Sequence, residues 1–329
     1  MPPQPSAPIP LVLDVDTGID DAMAILLAAL HPDLDLRAVT CAGGNAPLED
    51  VVRNTLTVLE IAGRTDVPVG VGARRPLLEQ PVDARHVHGS DGMGDLGLPA
   101  PRTEPDPRIA VELLRDEAER AYAQGRPLTL VPLAPMTNVA LLARVHPDAF
   151  ARLGRVVFMG GGADVSNATA AAEFNVFHDP EATALVLDAC VEHDVPVTMY
   201  GLDVFYAPRV TREQSQALRD LGTPVATLAA GLTSFHQRVF QDGTMTVGDA
   251  GAVASLLVPQ AVRTERRPVR VELAGTWTRG RTIVDRRDWT GDMEHDPHGP
   301  ARAMVDVCLG VDGDALRDVW LATVRGEVG

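Results

Sequence analysis

The chain has no lysine: all 29 of its basic residues are arginine. That absence excludes Schiff-base chemistry, a Walker-type phosphate lysine and any lysine general base. Aromatic side chains make up only 4% of the 329 residues, so platforms for stacking nucleic-acid bases are scarce. Cysteine is rare as well. Cys41, Cys190 and Cys308 lie far apart, form no CxxC pair and are odd in number, which argues against a disulfide framework. No apolar run approaches the roughly 18 residues needed to span a bilayer. The opening MPPQPSAPIP carries neither a basic segment nor a long apolar one, so it does not read as a signal peptide. The expectation is a cytoplasmic protein whose residues 1–8 form a mobile Pro-rich tail.

Acidic residues outnumber basic ones, 45 to 29, and the formal net charge is −16. Such a surface repels phosphate backbones and anionic membranes, so neither nucleic acid nor membrane is expected as a partner. With 45% hydrophobic and 22% charged residues the composition is that of a globular chain.

Short apolar runs alternate with helical patterns. PLVLDVD (10–16), LDLRAVTCAG (34–43), DVPVGVG (66–72), PLTLVPL (127–133), RVVFMGG (155–161) and VPVTMYG (195–201) read as strands. AMAILLAALH (22–31), EDVVRNTLTVLEIAG (49–63), RIAVELLRDEAERAYAQG (108–125), MTNVALLARV (136–145) and PEATALVLDACVEH (180–193) read as helices. Uninterrupted apolar strands between helices predict an α/β fold: a mostly parallel central sheet flanked by helices, Rossmann-like. No linker or repeat divides residues 9–329, which read as a single domain. Within it, 202–250 is a helical, lid-like excursion and 262–285 supplies late strands. Ligands of such sheets sit beyond the carboxyl ends of the strands. The candidate ends are at Asp16, Asn45, Pro135 and Gly162.

The first of these is the most informative. DVDTGIDDA places Asp14, Asp16, Asp20 and Asp21 within eight residues. One of them could serve as an ordinary helix cap. Four acids at one strand-to-helix turn raise one another's pKa and strain the fold unless a cation neutralises them. No basic residue lies between positions 9 and 30, so the cation is read as a metal. Carboxylate oxygens select a hard ion such as Ca²⁺ or Mg²⁺. Two chemistries fit: phosphoryl transfer of the haloacid dehalogenase type, whose first motif also reads DxDx(T/V), and metal-assisted hydrolysis. The missing lysine weakens the phosphatase reading.

DVDTGIDDAMAI resembles the signature DxDxGxDDAxAI of the inosine–uridine-preferring nucleoside hydrolases at every fixed position. AGGN (ending at Asn45), HVHGSDGMG, VPLAPMTNVALLAR, VVFMGGGADVSNATAAAEFNVFHDPEA and TRGRTIVDRR (278–287) follow in the family's order. The resemblance covers about residues 10–310. It implies the nucleoside hydrolase fold and Ca²⁺-dependent hydrolysis of a ribonucleoside's N-glycosidic bond, giving free base and ribose, with a role in nucleoside salvage. Carried over residue by residue, it makes Asp16 the general base and a metal ligand. Asp21, the Leu133 carbonyl and Asp249 would complete the metal set. Asp20, Asn45, His88, Asn167, Glu173, Phe174 and Asn175 would touch the substrate, and Met159 would form an apolar wall under the sugar. Asp14 would support the others from behind. A homodimer or homotetramer is the expected assembly.

One departure stands out. The family commonly carries a histidine before the last metal-binding Asp and assigns it to protonating the departing base; here that position is Gly248. The helical stretch 224–241 offers His236 as a substitute acid, with Phe240 one turn on to pack against the base. A tryptophan sandwich for purines is not apparent, the tryptophans being Trp277, Trp289 and Trp320. A non-catalytic nucleoside or ribose binder stays as a third reading, because Gly248 removes a catalytic group. Retention of Asp16 speaks against it.

Overall fold

A computed structural model describes residues 7–239, 243–287 and 303–328. Of the expected tail, residues 1–6 lie outside the described residues, and so do Phe240 and Trp289.

The strands in chain order are β1 (Ile9–Val15), β2 (Leu34–Cys41), β3 (Val69–Val71), β4 (Thr129–Pro132), β5 (Arg155–Met159), β6 (Val197–Tyr200), β7 (Arg209–Thr211), β8 (Thr244–Thr246), β9 (Val262–Val271), β10 (Thr282–Val284) and β11 (Ala303–Val311). Nine of them form one sheet in the order β10-β9-β11-β6-β5-β4-β1-β2-β3. From β3 to β11 all neighbours are parallel; β9 joins β11 and β10 antiparallel at one edge. The small ribbon β7–β8 stands apart.

The strand sequences explain the layering. Along β1, Leu11, Leu13 and Val15 enter one hydrophobic core and Val12 the other. Alternate residues point to opposite faces, and both faces are covered, so nearly every position is apolar. Helices Ile19–Leu30, Leu48–Ile61, Asp249–Leu257 and Gly313–Arg325 pack on the first face. Ala110–Ala123, Thr137–Val145 and Pro180–Glu192 pack on the second. The predicted α/β architecture and each predicted strand and helix are present, with ends shifted by a few residues.

Segment 202–250 holds helices Leu202–Phe205, Arg212–Leu221 and Pro224–Val239 together with β7 and β8. On the longest of these, Leu228, Ala229 and Leu232 are buried and Val225 and Phe235 half-buried, as an amphipathic stripe requires. Ala226 and Ala230 widen that stripe. Among the described residues no helix is long and apolar enough to cross a membrane.

Candidate active site

The carboxyl ends of β1, β2, β4, β5 and β6 lie side by side, and the loops that leave them supply the site. After β1 the chain turns through Thr17 and Gly18 into helix Ile19–Leu30. Asp21, in its first turn, caps it: Oδ1 accepts the Asp16 N–H at 3.2 Å and Oδ2 the Gly18 N–H at 2.9 Å. Asp16 is fully buried. Its Oδ2 accepts the Asn45 N–H at 2.7 Å and its Oδ1 the Asn45 Nδ2 at 3.2 Å, while the same Nδ2 lies 3.1 Å from Asp21 Oδ2. The Gly-Gly pair before Asn45 makes this approach feasible. A Cβ on Gly44 would fall 2.0 Å from Asp16 Oδ2.

Asp249 opens helix Asp249–Leu257 and reaches the same place from 228 positions further along the chain than Asp21. Asp20, Asp21 and Asp249 each offer one oxygen, and the three lie within 4.8 Å of one another. Asp21 and Asp249 are buried and Asp20 is half-buried. The structure thus brings Asp20, read from the sequence as a sugar contact, into the tight acidic group. Asp16 stands beside that group rather than within it, turned toward Asn45.

Burial is the main electrostatic influence. It pushes the Asp16 and Asp249 carboxyls well above the usual range, and neighbouring charges add to it: Asp21 and Asp20 for Asp16, and Asp20, Asp21, Asp16 and Glu173 for Asp249. Asp21 is pushed up to about 7 by burial and by Asp20. Asp14 rises to about 6 through burial, against hydrogen bonds from Asn138 Nδ2 (2.8 Å) and Thr40 Oγ1 (2.6 Å).

A hard cation fits this donor set. Every donor is a carboxylate oxygen, and Asp20 Oδ1 is buried with no hydrogen-bond donor among the described residues. An acceptor in that condition is costly unless a positive charge faces it.

His88 lies against the start of helix Ile19–Leu30. Its Nδ1 accepts the Ile19 N–H at 3.1 Å and stands 3.8 Å from Asp20 Oδ1. Burial lowers its pKa, and a ring accepting at Nδ1 is neutral, with its proton on Nε2.

A second hub forms behind β5. Glu173 caps helix Phe174–His178: Oε1 accepts the Asn175 N–H at 2.9 Å, and Oε2 the Gly161 and Val176 N–H groups at 2.8 and 3.1 Å. Burial pushes Glu173 up to about 7 in spite of those bonds. Asn175 Nδ2 donates to the Leu133 carbonyl at 2.7 Å and to the Met159 carbonyl at 3.2 Å. The carbonyl read as a metal ligand therefore already accepts one hydrogen bond, with a second lone pair left over. Met159 is buried, Phe174 half-buried and Asn167 exposed. Asn167 Oδ1 accepts the Phe174 N–H at 2.9 Å. His236 is half-buried on helix Pro224–Val239.

Several supports were not singled out from the sequence. Asn138 ties β1 to β2 by bonding both Asp14 and the Cys41 carbonyl, and Thr40 holds the same carboxylate. Asp203 accepts the Ala163 and Asp164 N–H groups at 2.7 and 2.9 Å, fixing the glycine loop after β5. Asp203 follows β6, so the strand-end rule applied to that strand could have found it.

Comparison with known proteins finds nucleoside hydrolases. A family model described as inosine-uridine preferring nucleoside hydrolase matches residues 11–318. The pyrimidine-specific ribonucleoside hydrolase RihA of Escherichia coli O9:H4 (strain HS) is 38% identical over 304 residues, covering 91% of this chain and 94% of the relative. The structure of a purine-preferring ribonucleoside hydrolase from Gardnerella vaginalis superposes with a TM-score of 0.84 at 29% identity, covering 96% of this chain and 98% of that one. An inosine-guanosine nucleoside hydrolase superposes with a TM-score of 0.81, also at 29% identity, covering 98% and 99%.

Proposed function

The chain belongs to the inosine-uridine preferring nucleoside hydrolase family, and from that premise we propose a calcium-dependent N-glycosidase acting on ribonucleosides. The observation that carries the calcium part is the convergence of Asp20, Asp21 and Asp249, all oxygen donors, beside the buried Asp16. Those residues, with the free lone pair of the Leu133 carbonyl, would hold the ion. When bound, it would neutralise the cluster, grip the ribose 2′- and 3′-hydroxyls and polarise a water.

The chain's own groups account for the remaining steps. Asp16, held in place by Asn45, takes the proton of the attacking water. The water oxygen bonds to C1′ as the C1′–N bond breaks, and the bond's electron pair leaves on the base. The sugar passes through an oxocarbenium-like state. Asp20, Asp249 and Glu173 would line it, and in their ionised forms they would favour positive charge developing on the ring. Asn45, Asn167, Asn175 and His88 are assigned to the sugar, with Met159 beneath it. His236 stays a candidate for contact with the base.

For the base itself, pyrimidines are the expectation. Trp320 is buried in the core with its Nε1 donating to the Met23 carbonyl, and Trp277 is 87% exposed, so among the described residues neither offers a purine sandwich. The pyrimidine-specific relative points the same way.

The assignment of Asp16 is tested by Asp16→Asn, which keeps shape and one oxygen but loses the proton acceptor. It should lower kcat by about 100-fold or more while ribose still binds. Near-normal turnover would refute it.

A further inference from the structure

Gly248 precedes Asp249 at φ +54°, and a Cβ there would come within 2.7 Å of the Asp20 Cβ and 2.9 Å of the Phe205 Cζ. The space into which a side chain at 248 would project is therefore filled, in part by the Phe205 ring. That ring is buried and meets Tyr206 edge-on, with centroids 5.0 Å apart and planes at 86°. Phe205 and Tyr206 end the short helix Leu202–Phe205, which Asp203 anchors to the Ala163 and Asp164 N–H groups. On the other side Arg209 Nε donates to the Tyr206 carbonyl at 3.2 Å. The backbone of Tyr206 is thus fixed from both directions.

Tyr206 differs from Phe205 in staying 41% exposed. The carboxylates of Glu173 and Asp20 act on its hydroxyl, and the Asn167 side chain lies beside it. Asn167 Oδ1 is engaged by the Phe174 N–H. A phenol O–H both donates and accepts, so Tyr206 has a proton to offer a ligand. Tyr206 combines an aromatic face, an O–H and solvent access, and it packs against the Phe205 ring that fills the space beside Gly248 at the acidic site.

We propose that Tyr206 contacts the base of the bound ribonucleoside and donates a hydrogen bond to it as it departs. The inference rests on the hydrolase reading and adds to it the residue that serves the leaving group where Gly248 offers nothing. In the step, the C1′–N electron pair passes to the base and the water's proton to Asp16. The departing base gains negative charge, which the Tyr206 O–H stabilises without giving up its proton; the base is protonated by solvent afterwards. Burial, followed by the nearby carboxylates, raises the phenol's pKa, so it keeps its proton at neutral pH.

Tyr206→Phe keeps the ring against Phe205 and removes only the O–H. It is compared with the wild type on uridine, cytidine and p-nitrophenyl riboside, whose leaving group is a stable anion. The variant should lose roughly 10- to 100-fold in kcat on the two nucleosides, with KM little changed. On p-nitrophenyl riboside the loss should be under about 3-fold, since that anion needs no donor. Equal losses on all three substrates, a change in KM alone, or no loss anywhere would overturn the proposal. A wild type that cleaves none of them would overturn the hydrolase reading instead, and that result is distinct from any effect at Tyr206.

Discussion

Asp16, Asp20 and Asp21 are a few positions apart, and their chemistry was legible in the sequence because a strand and a helix start place such neighbours together. Asp249 was legible only through family resemblance: nothing in VGDAGAVA marks it as a partner of a turn 228 residues earlier than its own position. The hydrogen-bonding supports were less legible still. Asn138 and Asp14 are 124 residues apart, and only the pairing of β1 with β4 makes them neighbours. The family resemblance made Asp20 a sugar contact; the structure sets its carboxylate with those of Asp21 and Asp249, while Asp16 accepts hydrogen bonds from Asn45. Gly248 belongs to this scale too. Its backbone is in a region that L-residues adopt at a cost, and the Cβ of an alanine would press on Asp20 and Phe205. Gly248→Ala should destabilise the fold by about 2 kcal/mol or more, read as a lowered Tm or urea midpoint. An unchanged midpoint would mean that the turn re-forms without strain.

At the scale of elements, the turn from β1 into helix Ile19–Leu30 carries most of the site's electrostatic stress. Burial and the neighbouring Asp20 push the Asp21 carboxyl up to about 7 in the folded chain from an ordinary 3.8, and burial pushes Asp14 up to about 6. Between the unfolded and folded values the unfolded chain has released its proton and the folded chain has kept it. Folded-state stability is therefore full below about pH 4 on this account and falls as pH rises through 7. Metal-stripped protein should show a Tm that declines from pH 5 to pH 8, and calcium at saturating concentration should reverse the decline at the upper end. A Tm independent of both pH and calcium over that range would remove the case for an ion in the cluster. Element boundaries were read closely from the sequence because the strands are uninterrupted apolar runs and the helices end near Gly63 and Gly125, both at positive φ. The three-residue strands β7 and β8 were not read, since RVT and TMT are too short to show a period.

At the scale of the molecule, the two-layered core explains why the acids can be held so close. The apolar faces above and below the sheet position the strand ends, and the loops leaving them bring the site's carboxylates together at one rim. The order of the sheet, with β9 and β10 added antiparallel beyond β11, was outside what alternation alone could give. The chain's strongly acidic surface suits a neutral small substrate, and the absence of lysine leaves phosphate without its usual partner. The most direct measurement is ribose release from uridine, cytidine, inosine and 2′-deoxyuridine, before and after removal of divalent ions by a chelator and after return of calcium. A metal-dependent ribonucleoside hydrolase should release sugar from the ribonucleosides, lose that activity with chelator and regain it with calcium. It should cleave the deoxynucleoside poorly, because the 2′-hydroxyl that the site grips is missing. Undiminished release in chelator, or no release from any ribonucleoside in calcium, would contradict it.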